Sequence, residues 1–215
     1  MIKGVIFDLD GVLVSTDELH YKAWKMLADR LSISKYTKED NEKQKGVSRL
    51  ESLEIVLSKG NSLYSKEGKE ILAEEKNKYY VELLQGIDSK VILPDVIQTL
   101  NMLKRRGIKI AVGSVSKNAP LILERAGLTK YIDEVSCGLD ISKSKPDPEV
   151  FFIAAKKLNL RSEECIVVED SRAGIIAAKT GGMISLAVGP ENEKLEADYN
   201  SLTMMSNVNW NEILK

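Results

Sequence analysis

The sequence predicts an α/β fold: a Rossmann-like core with a parallel sheet flanked by helices, interrupted by an inserted, wholly helical segment. Three observations predict it. From Pro94 onward, short apolar runs alternate with helical patterns, which implies βαβ crossovers and a sheet covered on both faces. The first apolar run, Ile2 to Phe7, is rich in β-branched and aromatic residues and stops at Asp8. Between that run and about residue 90 nothing has the period of a strand, and about 75 residues is too long for an ordinary crossover.

Each element follows from local pattern. Asp17 to Leu31 carries Leu19, Ala23, Met26, Leu27 and Leu31 at helical spacing. Ser48 to Ser58 and Lys66 to Leu84 also read as helices, separated at Gly60-Asn61-Ser62 and ended by Gly86. These segments define a cap over residues 15–92, leaving residues 1–14 and 93–215 as the core. In the core, Asp95 to Arg106 is helical and Lys109 to Gly113 is a strand. A helix spans Asn118 to Ala126, and Asp133 to Cys137 is a strand. Asp147 to Leu158 is a helix with Pro148 near its first turn. Cys165 to Val168 is a buried strand, Arg172 to Thr180 a helix ended by Gly181-Gly182, and Met183 to Val188 the last clear strand. The remaining tail is polar and harder to read, and no repeat or low-complexity segment occurs.

Composition narrows the function classes. Of 215 residues, 43% are apolar and 29% charged, with a formal net charge of −1, so nothing points to nucleic acid or another polyanion. The apolar N-terminus meets Asp8 too early for a signal sequence, and no apolar run spans a bilayer. Cys137 and Cys165, without CxxC spacing, read as reduced core thiols of a cytoplasmic protein. A monomer is expected.

Ligands of open α/β sheets bind beyond the carboxyl ends of the strands. Those ends supply Asp8 and Asp10; Ser114, Ser116, Lys117 and Asn118; and Glu169 and Asp170, with Lys145-Pro146 ahead of a helix. Clustered carboxylates do not all stay ionised without a cation, and hard oxygen donors favour Mg²⁺. A carboxylate can attack phosphorus to form an aspartyl phosphate. Taken singly, the signals are weaker. Asp8-Asp10 or Glu169-Asp170 could cap helices, Lys145 and Arg49 could be solvated charges, and His20 and Trp24 could be packing residues.

Phe7-Asp8-Leu9-Asp10-Gly11-Val12, Ser114, Lys145-Pro146 and Val168-Glu169-Asp170-Ser171 resemble, in order and spacing, the four motifs of the haloacid dehalogenase superfamily. The helical insert resembles its C1 cap. Lys45-Gly46-Val47-Ser48-Arg49, Ser116-Lys117-Asn118 and Thr16-Asp17-Glu18-Leu19-His20 with Ala23-Trp24 are similar to the β-phosphoglucomutase family within it. The resemblance implies an Mg²⁺-dependent phosphosugar mutase. Asp8 is then the nucleophile and Asp10 the general acid/base. Asp8, the Asp10 carbonyl, Asp170 and Glu169 hold one Mg²⁺, and Ser114 and Lys145 bind the transferring phosphoryl group. Lys45, Gly46, Val47, Ser48, Arg49, Ser116, Lys117 and Asn118, with His20 and Trp24, lie on the substrate side.

A mutase needs two anion sites, one for the reacting phosphate and one for the parked phosphate. Arg49, Ser116, Lys117 and Asn118 are expected to form the second. By the same resemblance, β-glucose 1,6-bisphosphate primes the enzyme; His20, near the cap hinge, is separately expected to hold Asp10 back until the cap closes. The rival expectations are a phosphosugar phosphatase on the same residues and a non-catalytic phosphosugar-binding module. Val115 and Gly113 stand where the family prefers alanine, and Val115 would trim the pocket.

Overall fold

The computed structural model describes residues 1–44, 47–204 and 208–215. The chain divides into two compact units: residues 1–15 with 88–215, and residues 16–87.

The first strand, β1 (Gly4–Phe7), is buried along its whole length. The helical unit follows with α1 (Asp17–Arg30), α2 (Lys38–Glu42), α3 (Arg49–Leu57) and α4 (Lys66–Leu84). Its core joins Trp24, Leu27 and Ala28 of α1 to Leu53, Val56 and Leu57 of α3 and Leu72 and Ala73 of α4. Ser48 caps α3 by a reciprocal pair of hydrogen bonds: its hydroxyl accepts from the Glu51 N–H, and Glu51 accepts from the Ser48 N–H. The short α2 was not visible in the sequence. Its residues Lys-Glu-Asp-Asn-Glu carry no apolar face, and it forms because Thr37 and Asp40 bond across its first turn.

The chain returns through α5 (Val96–Arg105), β2 (Lys109–Gly113), α6 (Ala119–Arg125) and β3 (Glu134–Ser136). Next come α7 (Glu149–Lys157), β4 (Cys165–Glu169), α8 (Arg172–Thr180), β5 (Ile184–Val188), β6 (Tyr199–Ser201) and α9 (Trp210–Ile213). The six strands form one parallel sheet in the order β3-β2-β1-β4-β5-β6. Under it, Phe151 and Ala154 of α7 and Leu158 at its C-cap pack with Ile6, Val167 and Ala178. Each large apolar side chain buried this way contributes about 1.5–3 kcal/mol. Among the described residues, no helix is long and apolar enough to cross a membrane.

Two boundaries shift, and the tail gains structure. The unit boundary falls at residues 15 and 88, not 92, because the returning chain is bonded to the outgoing one. The Ser15 N–H donates to Val91 O at 2.8 Å, Val14 bridges Ile92, and the Leu93 N–H donates to Leu13 O at 3.0 Å. Helix α7 starts at Glu149 rather than Asp147, with Pro148 at its N-cap, and the Asp147 carboxylate accepts the Glu149 N–H. The tail is structured: β6 pairs with β5, Asp198 accepts both the N–H and the hydroxyl of Ser185, and the Trp210 indole donates to Met204 O.

Candidate active site

The register of the sheet assembles the site. Phe7 lies opposite Val112 on one side and Val168 on the other. The residue after β1 is therefore level with Gly113 and Glu169, and the Asp8 N–H donates to Val168 O at 2.9 Å. Asp8, Ser114, Lys145 and Glu169 are all buried polar residues, an arrangement that requires mutual pairing.

Lys145 is the hub. Its ammonium donates to Asp8 Oδ1 and, at 2.6 Å, to Glu169 Oε1, with a side chain fully removed from solvent. Burial alone would lower its pKa, but Asp8 and Glu169 hold it above the ordinary lysine value. Glu169 Oε2 accepts the Asp170 N–H at 2.8 Å, the Ser171 N–H at 2.7 Å and the Ser171 hydroxyl at 2.9 Å. Glu169 thus fixes the lysine on one side and the turn into α8 on the other. Burial pushes the Asp8 carboxyl up to about 7, with Lys145 opposing and Glu169 and Asp10 adding to the rise.

Asp8, Glu169 and Asp170 each present a carboxylate oxygen, all within 4.8 Å of one another. Three acidic donors facing one lysine leave an excess of negative charge on hard oxygen ligands, so the residues fit a Mg²⁺ ion. Asp8 and Asp170 are better placed as direct ligands than Glu169, whose two oxygens already accept four hydrogen bonds.

The loop after β2 brings hydroxyl, amide and ammonium groups to the same end of the sheet. The Ser114 N–H donates to Ser136 O at 3.0 Å, and its hydroxyl accepts the Ser116 N–H at 3.2 Å. The Ser116 hydroxyl in turn accepts the Asn118 N–H at 3.2 Å. Lys117 is exposed and Asn118 half-buried at the start of α6.

Residues 2–182 match the family described as haloacid dehalogenase-like hydrolase. The chain belongs to that family. As a haloacid dehalogenase-like protein it is 38% identical to the β-phosphoglucomutase of Bacillus subtilis (strain 168), over 92% of this chain and 88% of that one. It is 32% identical to the phosphorylated carbohydrates phosphatase of Thermotoga maritima, over 85% of this chain and 82% of the other. The crystal structure of β-phosphoglucomutase from Clostridium difficile superposes with a TM-score of 0.91 at 39% identity, covering 99% of this chain and 96% of that chain.

The helical unit of this haloacid dehalogenase-like chain carries the remaining expected residues. Arg49 opens α3, and its guanidinium pairs with Glu74 of α4 at 3.0 Å. Ser48 is the cap of α3, and Val47 is half-buried in the bend before it. Lys45 and Gly46 lie outside the described residues. Trp24 is 2% exposed, with the Lys76 ammonium 4.6 Å from its ring centroid. It is a packing residue of this unit rather than a sugar platform, because it sits in the α1–α3–α4 core.

His20 stacks on Tyr80 with ring centroids 4.0 Å apart, and its Nδ1 lies 3.0 Å from Lys76 Nζ. Burial first, then Lys76 and Arg49, hold its pKa well below the usual imidazole range. A neutral His20 accepts at Nδ1 from the Lys76 ammonium. Lys76, buried beside the Trp24 and Tyr80 rings, was not singled out from the sequence; on a helix dense in Lys and Glu it reads as one more solvated charge.

Proposed function

We propose that the chain is a β-phosphoglucomutase, interconverting β-glucose 1-phosphate and glucose 6-phosphate. The observation that carries the reading is full-length similarity, near 40% identity in sequence and structure, to two proteins that bear that name. The buried Asp8–Lys145–Glu169 group supports the chemistry.

In the proposed cycle a carboxylate oxygen of Asp8 attacks phosphorus of a 1,6-bisphosphate primer, the P–O bond to the sugar breaks as Asp10 gives the sugar oxygen a proton, and phospho-Asp8 forms. A hydroxyl of β-glucose 1-phosphate then attacks phospho-Asp8, giving up its proton to Asp10 and releasing the Asp8 carboxylate. The resulting β-glucose 1,6-bisphosphate turns over in the site. Its 1-phosphate returns to Asp8, the sugar oxygen regains a proton from Asp10, and glucose 6-phosphate leaves. Lys145 and Ser114 bear on the transferring oxygens, where a fixed ammonium counters developing charge. Arg49, Ser116, Lys117 and Asn118 bind the parked phosphate. One Mg²⁺, held by Asp8, Asp170 and the Asp10 carbonyl and neighboured by Glu169, would neutralise charge on the phosphoryl group.

The second reading is a phosphosugar phosphatase, favoured by the similarity to the Thermotoga maritima phosphatase. Water would then complete the cycle from phospho-Asp8. Phosphorus NMR of the protein with Mg²⁺, β-glucose 1-phosphate and a trace of the 1,6-bisphosphate separates them. Glucose 6-phosphate without comparable free phosphate supports the mutase, and inorganic phosphate as main product overturns it.

A further inference from the structure

We infer that Gly138 is a positioning residue for the parked-phosphate loop, and that the braced turn Cys137–Asp140 sets where Lys117 stands. The inference rests on the proposed reading that Lys117 and Asn118 bind the non-transferring phosphate.

The geometry is specific. Gly138 follows β3 and donates its N–H to Ser116 O at 3.2 Å. A methyl group built on Gly138 would lie 2.3 Å from Val115 O, 3.0 Å from Lys117 N and 3.0 Å from Lys117 Cγ. Two of those three neighbours are backbone, so no side-chain rotation relieves the clash. Gly138 is not among the glycines with positive φ, so the demand there is for space, not for backbone freedom. The loop would have to retreat.

The turn itself is held from behind. The Asp140 N–H donates to Cys137 O at 2.9 Å, and Asp140 Oδ2 accepts the Cys137 N–H at 2.8 Å. Lys157 of α7 donates to Asp140 Oδ1 at 3.0 Å and to Val135 O at 2.6 Å. Loop and turn also share the bond from the Ser114 N–H to Ser136 O. A side chain at 138 therefore pushes the 115–117 backbone, not the braced turn, and Lys117 moves with it. A displacement of about 1 Å in a substrate-positioning group can cost about a hundredfold in rate.

The test uses the full chain and two substrates. β-Glucose 1-phosphate needs both anion sites, whereas phosphorylation of Asp8 by acetyl phosphate needs only the first. Gly138→Ala is expected to raise KM for the sugar phosphate at least tenfold, with kcat/KM down about a hundredfold. The rate of acetyl phosphate labelling should stay within twofold. Lys117→Ala should show the same split.

If Lys117→Ala raises KM and Gly138→Ala does not, the positioning role is wrong. If Lys117→Ala leaves KM unchanged, the parked-phosphate reading itself falls. Loss of acetyl phosphate labelling in a folded Gly138→Ala protein also overturns the inference, since the damage is then general. Should Gly138→Ala not fold, Asp140→Ala frees the same turn. Its KM should rise and be restored only in part by Asp140→Asn, which keeps a carbonyl oxygen for the Cys137 N–H but loses the acceptor for Lys157; an unchanged KM in Asp140→Ala counts against the brace.

Discussion

Lys145 Nζ stands 2.6 Å from Glu169 Oε1 while bonding Asp8 through the same ammonium, and the lysine side chain has no contact with solvent. One cation thereby compensates two buried acids. Lys145→Met removes that charge and leaves both carboxylates buried together. Breaking a buried pair from one side costs about 3–5 kcal/mol. The variant should melt well below the parent and form no detectable phospho-Asp8. Normal labelling of a stable Lys145→Met protein would show that the hub is dispensable.

Gly174 sits in the first turn of α8, where a methyl group would lie 1.8 Å from Glu169 Oε1. The Glu169 carboxylate cannot swing aside without releasing Lys145, Asp170 N–H and Ser171. Gly174→Ala is therefore expected to cost more than its helix propensity gain of about 1 kcal/mol. Urea unfolding should register a net loss, and kcat should drop. A more stable Gly174→Ala protein would mean that Glu169 has room to move.

Arg49 is paired with Glu74, whose side chain is 60% exposed. A phosphate arriving at Arg49 has to displace that carboxylate, and exposed pairs are worth about 0–1 kcal/mol. Glu74→Gln should lower KM for the phosphosugar by up to about fivefold. Arg49→Ala should raise it by tenfold or more, since a charge-assisted bond contributes about 1.5–3 kcal/mol. Steady-state kinetics on both variants decide this, and unchanged KM values would remove Arg49 from the substrate site.

His20 is neutral in the fold, its pKa depressed by burial and then by Lys76 and Arg49. The unfolded chain binds a proton there below about pH 6.5, where the folded chain does not. Stability from this residue is thus fully present above that pH and is lost as pH falls toward the depressed folded value. The urea midpoint of the parent should fall more between about pH 7 and about pH 5 than that of His20→Gln. Equal slopes would place the acid sensitivity elsewhere.

Most of the core was legible because its strands are continuous apolar runs and the motif residues Asp8, Ser114 and Glu169 sit at strand ends. Asp8 after Phe7 and Glu169 after Val168 needed no tertiary information. The rest depended on partners far along the chain. That Glu169 brackets Lys145 is set by how the loop before α7 packs, over a separation of 24 residues. Lys76 looked solvated because its neighbours Glu74, Glu75 and Lys78 are polar, while its aromatic partner Trp24 comes from α1. Tyr199–Ser201 has too few apolar residues to announce a strand and becomes one only beside β5.

The outgoing and returning chains at Val14-Ser15 and Val91-Ile92 are stitched together before the helical unit begins. Because the neck is already closed, the entropy of closing it no longer depends on what lies beyond. Loop-closure cost grows only with the logarithm of length, so about 70 inserted residues burden the sheet little more than a short loop would. Sequence drift within residues 16–87 can therefore proceed while Asp8, Lys145 and Glu169 keep their register, so the helical unit and the buried acid–lysine group are free to vary on separate stretches of one polypeptide.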